Sequence, residues 1–297
     1  MTLKSKFLGC ILGVGIGDSL GRRWEGSFGP AMEEIERGSQ VLRYTDDTHM
    51  TLGVLESLIA CKGLDIGHMA HTFVKNYEEE PYRGYGPGPP RIFRLIRRGE
   101  GLLNLDRGIY PGGSYGNGSA MRIAPVGLLY HDSEELRGKA CSASEITHSH
   151  ELGKEGAALQ AYAVALAVKI SRLDVDEFLD ELEKFAENST YKKKLRAMRT
   201  LDREKRSEVT TKLGNGIEAF NSVPAAVFSF LTAKSFSDAV LYAISLGGDT
   251  DTIGAMTGAI AGAYYGIEGI PPEWIDRLEN GRYLERLALE LLRIGES

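Results

Sequence analysis

The chain has 297 residues, 42% of them hydrophobic and 26% charged, a globular composition that excludes disorder and suffices for a sizeable core. Its 35 basic and 41 acidic residues leave a net charge of −6, which argues against a surface dedicated to nucleic acid or anionic lipid. Cys10, Cys61 and Cys141 form no CxxC pair, which excludes a disulfide framework and a thiolate zinc site and fits a reducing cytosol.

The first predicted helix covers residues 4–20 (KSKFLGCILGVGIGDSL), where Gly9, Gly13 and Gly17 recur at every fourth position. Such a stripe lets a second helix approach closely, at some cost in helix propensity. Lys4 and Lys6 ahead of Phe7–Gly17 imitate a signal peptide, but Asp18 interrupts and no small-residue cleavage site follows. The apolar run Gly254–Ile267 is 14 residues, against about 20 for a spanning helix, so a cytoplasmic protein with no membrane partner is expected. A helix over 46–62 starts after Thr45 as N-cap and stops at Gly63; another covers 66–79 and halts at Pro81. PYRGYGPGPP (81–90) is too rich in glycine and proline for either regular element. A second glycine-rich loop, PGGSYGNGS (111–119), leads into a helical run over 120–130.

Further helices are predicted over 134–145, 152–171, 174–187, 190–205, 224–233, 236–246, 250–265 and 280–294. Strand-like alternation is nearly absent, so the class is all-α. No linker or repeat interrupts the chain, so one domain over 1–297 is expected. The single charge run, YKKKLRAMRTLDREKR (191–206), reads as a solvated helix face, with a docking patch for an acidic partner as the other reading.

Two carboxylate clusters stand out: Thr45-Asp46-Asp47-Thr48, and Gly247-Gly248-Asp249-Thr250-Asp251-Thr252, each at a predicted helix start. Asp and Thr cap helices, and acids near an N-terminus suit the macrodipole. Capping accounts for one acid per cluster, not for two hemmed by apolar sequence. Were the clusters to meet, a charge of about −4 would need cations to neutralise it. An all-oxygen donor set favours Mg²⁺ or Mn²⁺ over Zn²⁺, and two such ions a few ångströms apart are a known catalytic arrangement. The loops Arg83–Gly88 and Gly112–Gly118 can expose backbone N–H groups to an anion, and their tyrosines can stack on a base or sugar. His148 and His150 in ITHSH read first as structural or exposed histidines, with a catalytic role as the other reading.

Taken in order, GCILGVGIGDSLGRRWEG (9–26), TDDT (45–48), GNGSAMRIAPVG (116–127), THSHELGKEGA (147–157) and GGDTDTIGAMTGAIAGAYYG (247–266) resemble the ADP-ribosylglycohydrolase family. That family includes the dinitrogenase reductase-activating glycohydrolase; the loops RGYGPG and GGSYGNG are similar to its branch acting on ADP-ribosyl-serine and poly(ADP-ribose). The resemblance implies an all-α, orthogonal helical bundle holding a dinuclear Mg²⁺ (or Mn²⁺) site. It implies metal ligands at Thr45, Asp46, Asp47, Asp249, Asp251 and Thr252, with Glu25 and Asp47 as catalytic carboxylates. Gly113, Ser114, Tyr115, Gly116, Asn117 and His148 would line the ADP-ribose pocket, and Asp18 enters only as a structural member of GDSLG. Arg22, Arg23 and Trp24 depart from the small or apolar residues many relatives carry before the acid at Glu25. The implied reaction is hydrolysis of the bond between ADP-ribose and an acceptor, either an ADP-ribosylated protein side chain or an O-acyl-ADP-ribose-type metabolite. A non-catalytic ADP-ribose or nucleotide binder and a two-metal nucleotide phosphoesterase are the alternatives.

Overall fold

The computed structural model describes residues 1–36 and 41–296. Helices α1 (Leu3–Gly21), α2 (Met32–Glu36), α3 (Asp46–Cys61) and α4 (Ile66–Glu79) come first. They are followed by α5 (Gly88–Arg97), α6 (Ala124–Leu129), α7 (Leu136–Ser144) and α8 (Glu151–Lys169). Next come α9 (Val175–Phe185), α10 (Ser189–Met198), α11 (Arg206–Leu213) and α12 (Ala219–Leu231). The chain closes with α13 (Phe236–Ser245), α14 (Thr250–Tyr265), α15 (Pro272–Arg277) and α16 (Gly281–Gly295). Among the described residues there is no strand, only the isolated bridges Leu42–Leu278 and Gly116–Glu218, so the all-α class holds.

The glycine stripe has the use its spacing suggests. Gly9, Gly13 and Gly17 of α1 lie against Gly262, Gly258 and Gly254 of α14, an antiparallel seam in which each glycine meets the other helix's backbone. A Cβ at Gly13 would fall on the Gly258 carbonyl, and one at Gly258 on the Gly13 carbonyl, well inside van der Waals contact. Overpacking of this kind costs about 1–3 kcal/mol per site. The pair forms the centre of the core: every residue of α1 from Ser5 to Gly21 except Ser19 is buried, as is α14 from Thr250 to Ala263. Helices apolar all round belong in such interiors. The seam matters for the site because it sets the N-terminus of α14 beside the C-terminus of α1: a Cβ at Gly21 would land on Thr250, and Thr250 Oγ1 donates to Gly21 O at 2.9 Å. Lys6 has an interior task, donating from Nζ to the carbonyls of Ala167, Val168 and Ile170 at the end of α8.

Several boundaries differ from expectation, each for a local reason. The segment 81–90 is not wholly irregular: α5 starts at Gly88, and Pro89 and Pro90 occupy its first turn, where a missing N–H leaves no bond unmade. The run 120–130 narrows to α6, with Pro125 in the first turn. The helix predicted over 190–205 ends at Met198, and α11 follows separately. Helix α12 begins at Ala219, five residues early, and carries Pro224 inside it. The proline leaves the Phe220 carbonyl without its intrahelical donor, and Lys194 Nζ supplies one at 2.7 Å. The charge run behaves largely as a solvated face, with Arg196 paired to Glu183 and Arg199 to Asp176 and Asp180 of α9. No helix among the described residues is long and apolar enough to cross a membrane.

Candidate active site

The two acidic clusters meet. Asp46 and Asp47 at the start of α3, and Asp249, Asp251 and Thr252 at the start of α14, line one cavity of about 220 Å³ together with Glu25, Ser114, Gly116, Asn117, Gly118 and His148. Carboxylate oxygens of Glu25, Asp249 and Asp251 lie within 4.8 Å of one another.

The first cluster is braced from below by Asp18, which is fully buried. Its carboxylate accepts from Thr45 N and Thr48 N at 3.0 Å, from Thr45 Oγ1 at 2.9 Å and from Thr48 Oγ1 at 2.5 Å. An interior aspartate thereby caps α3 from outside the helix and pins Asp46 and Asp47 in place. Thr45 is the N-cap; its hydroxyl lies 2.9 Å from Asp18 and from the cavity acid Asp47.

The second cluster is held by backbone. Gly247 and Gly248 turn the chain at φ +72° and +74°, a region that favours glycine. Gly248 N donates to Ser27 O at 3.0 Å, Gly248 O accepts from Gly26 N at 2.8 Å, and Asp249 N donates to Asn215 O at 2.9 Å. The turn bearing Asp249 and the loop bearing Glu25 are therefore laced together. Asn117 Nδ2 donates to Asp249 Oδ2 at 2.5 Å and to Ser222 Oγ at 3.1 Å. Asn117 thus stands within the acidic cluster, not only on the pocket wall.

Every one of these acids is pushed up. Asp46 and Asp47 rise well above the usual carboxylate range through burial, reinforced by Asp18 and Asp251. Burial, with Asp249 beside it, raises Asp251 to about 7. Asp18 reaches about 7 through burial and Asp251, and Asp249 rises through burial. Glu25 is raised chiefly by the charge of Asp251. Five carboxylates around one small cavity cannot all ionise without cations. Among the cavity acids, the buried oxygen Asp47 Oδ1 has no hydrogen-bond partner among the described residues, which leaves it available to a hard cation. The donor set and this oxygen fit a divalent metal.

The glycine loop contributes Ser114 and Gly116–Gly118 to the lining. Asp106, buried and unremarked on sequence, accepts from Ser114 N at 2.7 Å and Ser149 N at 2.8 Å through Oδ2, tying the loop to the histidine segment. Gly113 takes φ +93° against Ser149 and His150; Gly113 itself does not line the cavity. Nor does Tyr115, which is half-exposed and meets His150 edge-on and Phe220 at a tilt. The two histidines part company. His148 lines the cavity, whereas His150 is the N-cap of α8, accepting from Leu152 N through Nδ1.

A family model described as ADP-ribosylglycohydrolase matches residues 1–297. The chain belongs to that family. It is 36% identical to ADP-ribosylhydrolase ARH3 of Mus musculus, over 98% of this chain and 92% of the relative, and 35% identical to that of Homo sapiens, over 98% and 93%. ADP-ribosylarginine hydrolase Tri1 of Pseudomonas putida is 26% identical, over 95% of this chain and 76% of the relative. A solved structure described as an ADP-ribosylglycohydrolase-related protein complex superposes with a TM-score of 0.82 at 26% identity, covering 99% of each chain. ADP-ribosylglycohydrolases are enzymes that cleave glycosidic bonds and depend on metal.

Sequence reasoning passed over Asp106, Thr147 and Arg122. Arg122 sits in the GNGSAMRIAPVG stretch, and its near-complete burial without a carboxylate bonded to it emerges only from the fold.

Proposed function

We propose that this protein hydrolyses the glycosidic bond linking ADP-ribose to an acceptor, either a modified protein side chain or an O-acyl-ADP-ribose-type metabolite. One observation carries the reading: Glu25, Asp46, Asp47, Asp249 and Asp251 share a cavity with the Gly116–Gly118 loop and His148. The curated relatives act on ADP-ribosyl linkages by name and are matched over most of their length. Thr45, Asp46 and Asp47 on one side, and Asp249, Asp251 and Thr252 on the other, would hold two Mg²⁺ or Mn²⁺ ions; the partnerless Asp47 Oδ1 supports this. Bound there, the ions supply Lewis acidity and offset the carboxylate charge. A continuous hydrophobic cluster from Phe7 to Leu292 supports reading the chain as one domain.

The side chains divide the work. The glycine loop and His148 bind and orient ADP-ribose so that its anomeric carbon faces the acids. As the bond to the acceptor breaks, positive charge grows on the ribose ring, and the carboxylate field stabilises it. Glu25, made more basic by Asp251, takes the proton of the attacking water, with Asp47 as the other candidate base. That proton passes to the departing acceptor, leaving free ADP-ribose.

Calorimetric titration of ADP-ribose with Mg²⁺ and then with EDTA, paired with release assays on serine-linked and arginine-linked ADP-ribosyl peptides, tests the reading. Metal-dependent binding with release of ADP-ribose is expected, and the peptide series reads the acceptor. Binding indifferent to EDTA, without release, would replace the hydrolase with a binding protein. Absence of binding would promote the nucleotide phosphoesterase.

A further inference from the structure

A buried cation stands behind the pocket with no carboxylate to bond. Arg122 is 1% exposed, with its guanidinium 4.8 Å from the Phe73 ring centroid. Its NH1 donates to Gly118 O at 2.8 Å, and its NH2 to Thr147 Oγ1 at 2.8 Å and Ala143 O at 3.4 Å. Thr147 Oγ1 in turn lies 2.7 Å from Nδ1 of His148. The ring's hydrogen bond to Thr147 runs through Nδ1, and the other ring nitrogen, Nε2, is not sealed off, for His148 lines the cavity. The ring packs against the glycine loop so closely that a Cβ at Gly118 would sit 3.0 Å from Nε2.

Counting hydrogens gives this chain a direction. Guanidinium is donor-only, so Thr147 Oγ1 accepts from Arg122. A hydroxyl has one hydrogen, and the remaining neighbour that can receive it is His148 Nδ1. Were Nδ1 protonated, it and Arg122 would both point hydrogens at Oγ1, and the threonine hydrogen would have no acceptor. The arrangement that satisfies every group is Arg122 to Thr147 to Nδ1, which leaves the ring hydrogen on Nε2.

We infer that Arg122 and Thr147 are positioning residues that fix His148 as its Nε2–H tautomer, presenting one N–H donor to an oxygen of the bound substrate. Burial, with the Arg122 charge next, also holds His148 neutral, at about 3, so the ring adds no cation to the pocket. Arg122 grips Gly118 and Thr147 at once, so the same side chain keeps the glycine loop and the histidine in register. The choice of an ADP-ribose oxygen as acceptor rests on the proposed function; the tautomer itself does not.

Long-range proton–nitrogen correlation spectra of the ¹⁵N-histidine-labelled protein, without ligand at pH 7, read the tautomer directly. A single Nε2–H form for His148 is expected; an Nδ1–H form, or a charged ring, overturns the inference whatever the substrate proves to be. Binding then tests the relay. Thr147→Val removes the hydroxyl at nearly constant volume and is expected to weaken ADP-ribose binding about tenfold, the scale of one hydrogen bond to a ligand. Thr147→Ser restores binding. Valine binding as tightly as threonine, with the fold intact by melting temperature, overturns the relay. If wild-type protein binds no ADP-ribose, the proposed function fails while the spectra still decide the tautomer.

Discussion

The two halves of the acidic site are held by different physics. Asp46 and Asp47 stand on a helix end braced by one buried ionisable side chain, Asp18, through five hydrogen-bond contacts to Thr45 and Thr48. Asp249 and Asp251 follow a turn braced by main-chain bonds to Gly26, Ser27 and Asn215 and by the uncharged amide of Asn117. The first half therefore depends on the charge state of an interior acid, and the second on backbone geometry that only glycine takes easily. A site built of like charges gains from such a division, since bracing both halves with carboxylates would deepen the repulsion that the cations must offset.

The sharpest way to break this comparison is to remove a cavity acid itself. Asp47→Ala is expected to lower kcat on the order of a thousandfold, the scale of several kcal/mol supplied by metal assistance. Turnover near wild type in a steady-state ADP-ribose release assay would remove Asp47 from the chemistry. Asp18→Asn keeps the shape but halves the acceptor capacity beneath α3, and a loss of roughly 10–100-fold in metal affinity is expected, read by Mg²⁺ titration of activity. Equal affinity would show that α3 needs no anionic brace. Asn117→Ala strips the second half of its amide donor. About tenfold weaker Mg²⁺ dependence is expected, less than for Asp18 because the backbone bonds remain.

The smallest effect concerns protons. The acids here have folded-state values raised above their unfolded ones, so the metal-free fold is favoured at low pH and loses that stability as pH rises toward about 7, where Asp18 and Asp251 titrate. In EDTA, the melting temperature is expected to fall by a few degrees between pH 5 and 8. With Mg²⁺ in excess the trend flattens or reverses, because cations displace the protons and stabilise the native state by mass action. Identical pH profiles with and without metal would show that the clusters hold no ion in the folded state.

Much of this was legible in the residues. The spacing of Gly9, Gly13 and Gly17 announces a close helix partner, and its counterpart at Gly254, Gly258 and Gly262 carries the same period. TDDT and GGDTDT announce acids in excess of what capping requires. Less legible were α5, hidden behind PYRGYGPGPP because first-turn prolines read as breakers, and α12, where Pro224 survives inside a helix because Lys194 takes over its freed carbonyl. Local composition carries no record of such a donor, which arrives from another helix.

By itself the sequence determined the helical class, a close helix partner for the glycine face of α1 and the identity of the acids, because each follows from periodicity or composition over neighbouring residues; that α14 is this partner came from the fold. Only the tertiary structure decided that the two clusters share a cavity, that Asp18 braces one of them, that His148 faces the cavity while His150 caps a helix, and that Arg122 lies buried behind the pocket. Those facts join residues tens to hundreds of positions apart. They depend on which surfaces the packed helices bring together, and burial, not residue type, sets the protonation of the groups that meet there.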